Sequence, residues 1–152
     1  IATVVSCSDS RVPIELVFDQ GIGDLFVIRT AGNSLDDNMT MGSLEYAVNH
    51  LHTKLIIVVG HEKCGGITAA ISTHSEGKEA KEISNLIETL RKGVESFVGK
   101  SDQLEDAIHY NVDYQIQKIL QNQELKDLID KGDLKVVGGY YNLKNGKIDL
   151  IN

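Results

Sequence analysis

The chain has no tryptophan, a single proline at Pro13, and only two cysteines, Cys7 and Cys64. Two cysteines cannot form a disulfide scaffold, and 152 residues are enough to bury a sizeable core without a staple. No apolar run approaches the roughly 20 residues that a bilayer span needs, so no membrane partner is expected. Positive charge is also scarce. Fifteen Lys and Arg stand against 22 Asp and Glu, for a formal charge of −7, with the acidic residues mostly in the second half. Phosphate backbones are bound by basic faces, and this balance argues against nucleic acid as the main partner. No signal peptide is visible and the chain begins at Ile1, inside an apolar run. The expectation is a cytoplasmic protein whose amino terminus is missing, with a periplasmic or organellar site left open.

What is present is a regular alternation of short apolar runs and amphipathic stretches. Ile1–Ser6 is β-branched and apolar, as a buried strand is. Pro13 suits the first turn of a helix that the glycines of Gly21–Gly23 would stop. Leu25–Arg29 reads as a second strand. Leu44, Ala47, Val48 and Leu51 share one face of a helix over Met39–Leu51. Lys54–Gly60, KLIIVVG, is apolar on both faces, the mark of a central parallel strand, and a helix begins near Ile67. The middle third carries two helices, one marked by Ile83, Leu86, Ile87 and Leu90, the other by Ile108, Val112, Ile116, Ile119 and Leu120. A short helix over Leu125–Ile129 precedes a strand over Lys135–Tyr141. Asn145-Gly146 then signals a hairpin into a last strand, Lys147–Ile151. There is no repeat, linker or low-complexity tract, so residues 1–152 read as one domain. The expected fold class is α/β: a mostly parallel central sheet with flanking helices and an antiparallel closing edge strand.

Parallel α/β sheets bind ligands at the carboxyl ends of their strands. Cys7 follows the first strand, and His61 and Cys64 follow the third, so adjacent strands would bring all three to one edge. Taken singly, each has a plain structural role: a small buried apolar group, a hydrogen-bonding residue, a turn residue. Together they supply two thiolates and an imidazole, which fill three positions of a tetrahedral zinc and leave one open, as catalytic zinc requires. A redox pair is a poor competitor because there is no C-x-x-C. Asp9 and Arg11 lie in the loop beside Cys7. Arg11 can hold the Asp9 carboxylate by a bidentate pair. Asp9 can then either accept a hydrogen bond from the occupant of the open position or close that position itself. Gly65 and Gly66 allow a sharp turn there, but HEKCGG lacks the spacing of nucleotide-binding loops.

CSDSR at Cys7–Arg11 and HEKCGG at His61–Gly66 resemble the two signature motifs of the β-class carbonic anhydrases. LFVIRTAGN, SLEYAVNHL, NVDYQIQKIL and VVGGYYNLKNGKIDLI resemble further family segments, so the likeness spans nearly the whole chain. The family's usual amino-terminal helices, which wrap a partner subunit, are not in this sequence. The resemblance implies zinc held by Cys7, His61 and Cys64, with Asp9 and Arg11 as a catalytic dyad. It implies reversible hydration of carbon dioxide to bicarbonate and a proton, by attack of a zinc-bound hydroxide. It also implies a homodimer or tetramer, and a substrate pocket lined by Tyr46, Gly65 and Gly66. The subgroup whose Asp closes the site has a tryptophan three residues before the first cysteine. Val4 stands there in this chain, which favours the open form. Gln20 lies one residue before the position of a substrate-binding glutamine in plant-type members. His50, His52, His74 and His109 are proton-shuttle candidates by residue type alone. A hydrolase of carbonyl sulfide or carbon disulfide would share the zinc and the dyad. A non-catalytic zinc module would have Asp9 as a permanent fourth ligand.

Overall fold

The computed structural model describes residues 1–73 and 79–151; His74, one of the shuttle candidates, lies outside them. Five strands form one sheet in the order β2-β1-β3-β4-β5. They are β1 (Ala2–Cys7), β2 (Leu25–Thr30), β3 (Leu55–His61), β4 (Lys135–Asn142) and β5 (Lys147–Ile151). The first four run parallel, and β5 returns antiparallel to β4 after the Asn145-Gly146 turn. The fold class thus follows the α/β expectation, with a mostly parallel sheet and an antiparallel closing edge strand. Every residue of β1 is buried, as are six of the seven in β3, which is why both sequences are apolar without alternation.

The helices are α1 (Ile14–Val17), α2 (Asn38–Asn49), α3 (Gly65–Ile71), α4 (Lys81–Val94), α5 (Leu104–Gln121) and α6 (Gln123–Lys131). Asp37 caps α2 by accepting from the Thr40 N–H, and Asn122 caps α6 by accepting from the Leu125 N–H. Val5, Ile56 and Val58 pack with Leu44 and Val48 of α2 and with Val112 and Ile119 of α5. A second cluster joins Cys7 and Cys64 to Ile67, Ile71, Leu90 and Ile108. The opposite face of the sheet, Val4, Ile57 and Val59, is covered by Val12, Ile14 and Phe18. Among the described residues no helix is long and apolar enough to cross a membrane.

The close seat of α5 depends on glycine. A Cβ on Gly60 would meet the side chains of Ile108 and Val112 at 2.8 Å. Gly60→Ala is therefore expected to lower stability by about 1–3 kcal/mol, the usual cost of overpacking a filled core. Urea denaturation measures this, and an unchanged midpoint would show that α5 can withdraw freely.

Several boundaries differ from the sequence reading. The first helix is a single turn and ends before the Gly21–Gly23 segment. Asp19 at φ 52 and the Gln20 amide, which donates to the carbonyls of Phe18 and Asp19, turn the chain earlier. Gln20 is thus a capping residue of that turn. Parallel pairing carries β1 through Cys7, opposite Thr30, and β3 through His61, opposite Tyr141. The two residues are the last of their strands rather than members of the loops. Finally, α3 starts at Gly65, which puts Cys64 at its cap position.

Candidate metal centre

In this strand order the chain leaves β1 toward β2 on one side, while β3 leads to β4 on the other. The crevice between the carboxyl ends of β1 and β3 is the switch point of the sheet, where such folds bind ligands. Cys7 and His61 end these two strands. Lys63, at φ 55, turns the chain back so that Cys64 faces them. The ligand atoms of Cys7, His61 and Cys64 all lie within 4.8 Å of one another, and all three residues are buried. Among the described residues they are the only such group of His, Cys, Asp or Glu side chains.

His61 is prepared as a ligand. Its Nδ1 lies 2.9 Å from the Glu62 carbonyl, which can only accept, so Nδ1 carries the proton. The lone pair is then on Nε2, which is buried and has no hydrogen-bond partner. An orphaned buried acceptor is costly unless something fills it, and a cation does so. The thiols tell the same story. A hydrogen bond from Cys64 holds the Cys7 thiol below the usual thiol range, against the cost of burial. The same contact with Cys7, together with burial, pushes the Cys64 thiol up. The two buried sulfurs thus face each other, and a dication held by both would offset the negative charge that two thiolates bring to this corner. Two thiolates and a neutral imidazole are a zinc donor set, and the residues fit the ion.

Asp9 is turned toward Arg11 rather than into the ligand group. Arg11 Nη2 donates to Oδ2 at 2.6 Å, Nε to Oδ1 at 3.0 Å, and the Arg11 backbone N–H to Oδ1 at 2.9 Å. The Arg11 side chain holds the Asp9 carboxyl well below the usual carboxylate range. Asp9 Oδ2 is 4.0 Å from His61 Nε2, at the edge of the ligand group. Arg11 Nη2 also reaches the Lys63 carbonyl at 3.2 Å and so ties the two motifs together.

The structure brings Cys7, Asp9, Arg11, His61 and Cys64 to one corner; the other candidates have different surroundings. Tyr46 stacks on His50 with ring centroids 5.0 Å apart. It lines a hollow with Gly42, Glu45, Asn49 and His50 that includes none of the three ligands. Gly65 begins α3, and Gly66 packs on the Gly32 backbone, where a Cβ would lie 3.2 Å from the Gly32 nitrogen. His52 sits in an exposed turn at φ 56, and His109 packs edge-on against Tyr140. Sequence reasoning missed Arg29. Its Nε donates to the Cys7 carbonyl at 3.0 Å and its Nη2 to the Asp9 carbonyl at 2.6 Å, clamping the CSDSR loop. No local motif marks an arginine in a strand for this role. Arg29→Ala is expected to weaken zinc binding by about tenfold with the fold retained, the lower range for loss of a residue that orients a metal site. Chelator competition and circular dichroism check this.

Fold and site together define a class: an α/β metalloprotein with a Cys-His-Cys group at the switch point of a parallel sheet and an Arg-held carboxylate beside it. The comparisons make the class specific. The carbonic anhydrase family model matches residues 2–148. The carbonic anhydrase of Mycolicibacterium smegmatis is 36% identical over 154 residues, covering 98% of this chain and 73% of that protein. Carbonic anhydrase 2 of Mycobacterium tuberculosis is 35% identical with the same coverage. A structure of a tetrameric β-carbonic anhydrase from Sordaria macrospora superimposes with a TM-score of 0.86 at 26% identity, covering 99% of this chain and 80% of that one. The Coccomyxa β-carbonic anhydrase in complex with acetazolamide gives 0.87 at 27% identity, covering 99% and 71%. The chain belongs to the β-class carbonic anhydrase family.

Proposed function

We propose that this protein catalyses the zinc-dependent, reversible hydration of carbon dioxide to bicarbonate and a proton, with Cys7, His61 and Cys64 as the metal ligands. The observation that carries the reading is the buried Cys-His-Cys group, with a lone pair free on His61 Nε2, beside a carboxylate already claimed by an arginine. Zinc bound there supplies Lewis acidity, which brings the ionisation of water close to neutral pH.

The protein groups do the rest. The three buried ligands at the strand ends hold the charge in a largely dry corner, where electrostatic effects are strong. Arg11 keeps Asp9 ionised and fixes its plane. Asp9 accepts the hydrogen of the attacking oxygen, so that a lone pair of that oxygen points at the carbon of the substrate. One C–O bond forms, one proton leaves to solvent, and bicarbonate departs. Since Arg11 bonds both oxygens of Asp9, the arrangement supports the open site rather than one closed by Asp9.

The protein also works as an oligomer on this reading. Among the described residues β2 and β5 are the edge strands of the sheet, with no further strand on their outer sides, and the apolar face of the sheet over β2 and β4 is thinly covered: Leu25, Val27 and Val137 are only partly buried. The Sordaria macrospora relatives are tetrameric. A homodimer is the smallest assembly that would cover one such edge, and light scattering on the purified protein distinguishes dimer from tetramer.

Stopped-flow hydration of carbon dioxide by the zinc-loaded protein tests the function. Fast hydration supports the reading. Stoichiometric zinc without hydration would defeat it and leave the non-catalytic module, while turnover of carbonyl sulfide alone would move the protein to the hydrolase alternative.

A further inference from the structure

Two amide side chains are completely buried inside α5, where polar groups are expensive: Asn111 and Gln115, both 0% exposed. Their orientation is fixed from both ends. The Leu35 backbone N–H, which can only donate, gives its hydrogen to Gln115 Oε1 at 2.9 Å. The Gly32 carbonyl, which can only accept, takes one from Asn111 Nδ2 at 3.0 Å. The bond between them must then run from Gln115 Nε2 to Asn111 Oδ1, at 3.2 Å. The result is a three-bond ladder from one turn of α5 to both ends of the 32–35 segment.

That segment borders the metal ligands. Gly32 is buried at φ 68 and ψ 25, and a Cβ there would strike Leu90 at 2.7 Å, so its conformation is set by its surroundings as well as by the ladder. It abuts Gly66, at the start of the helix capped by Cys64, where a Cβ on Gly66 would lie 3.2 Å from the Gly32 nitrogen. Neither Asn111 nor Gln115 is part of the ligand group.

We propose that the buried Asn111–Gln115 ladder is a positioning device for the metal centre: it holds the 32–35 segment so that Gly32 stays packed on Gly66, at the start of the helix that Cys64 caps. The proposal rests on the metal-centre reading above. Backbone packed against a ligand-bearing turn fixes the direction of the ligand, and groups of this kind beyond the direct ligands commonly change metal affinity 10- to 100-fold. Asn111 acts on the carbonyl side of Gly32, fixing its ψ, and Gln115 holds the far end of the segment at Leu35. With both ends tied to one helix, the segment cannot swing away from Gly66 without breaking buried hydrogen bonds.

The test uses Asn111→Leu and Gln115→Met, which keep shape and remove the amides, with Ile119→Val as a control that destabilises α5 without touching the ladder. Zinc affinity is measured by chelator competition, and the cobalt-substituted proteins report the sulfur-to-metal charge-transfer band. Asn111→Leu is expected to weaken zinc binding about tenfold and to shift the band; Gln115→Met should act in the same direction more weakly. Ile119→Val should lower thermal stability and leave both metal readouts as in the parent. If the two amide variants only lose stability, as Ile119→Val does, the ladder is structural and the proposal is overturned. Should Asn111→Leu not fold, Gln115→Met decides alone: an unchanged affinity and band overturn the proposal. A parent protein that takes up no stoichiometric zinc or cobalt would instead defeat the metal-centre reading itself.

Discussion

Cys64→Ser is expected to yield a folded protein that does not retain stoichiometric zinc through dialysis and hydrates carbon dioxide about 10³-fold more slowly, equivalent to about 4 kcal/mol of lost barrier reduction. Serine is nearly isosteric, and Cys64 is 1% exposed within a well-packed cluster, so the site keeps its shape. What changes is the donor. A serine hydroxyl stays neutral near pH 7, whereas cysteine gives up its proton to a coordinated cation. With one anionic sulfur lost, the remaining thiolate no longer balances a dication in a buried corner, and a buried excess charge is costly. Metal analysis together with stopped-flow assay checks both halves. A variant that keeps zinc and full activity would remove Cys64 from the ligand set.

Asp9→Asn gives the second large effect, of a different kind. Zinc content should remain stoichiometric, while kcat/KM falls on the order of 10²-fold or more, the range for loss of a positioned proton acceptor. Asparagine fills the same space but presents an N–H where Arg11 already presents three of its own donors, counting the backbone. The amide must rotate or lose part of its bonding, and in either case the ionised acceptor beside His61 Nε2 is gone. The contrast between the two variants is diagnostic. Loss of metal with Cys64→Ser and retention of metal with Asp9→Asn separates holding the ion from orienting the reacting oxygen. Zinc loss in Asp9→Asn would instead make Asp9 a ligand.

The corner at the end of β1 was legible in the sequence because its residue types are chemically specific. A thiol, a carboxylate and a guanidinium after a short apolar run, with His61 and Cys64 after the most apolar run in the chain, leave few other chemistries. The order of strands was partly legible for the same reason: Lys54–Gly60 is apolar on both faces only because it is central. Helix ends were read less well. The stop before Asp19 comes from a side-chain amide and a positive φ, neither of which leaves a periodic trace.

Arg29, Gly32, Asn111 and Gln115 were out of reach for a stronger reason. An arginine in a strand and two amides in an amphipathic helix carry no motif. Their meaning lies in partners 20 or 22 residues away for Arg29, and 79 or 80 residues away for the helix amides. Tyr46 shows the converse: its assigned pocket came from a likeness, and within this chain its neighbours are Phe26 and His50.

By itself, then, the sequence determined the donor set, the parallel α/β class and the carboxylate-guanidinium pair, because local composition and short spacing dictate which chemistry is available. Only the tertiary structure decided which way Asp9 faces, which nitrogen of His61 is free, and which buried groups hold the Cys7 loop. Those are questions of direction: hydrogen bonds act over about 3 Å between atoms that only the packed sheet and helices bring within reach.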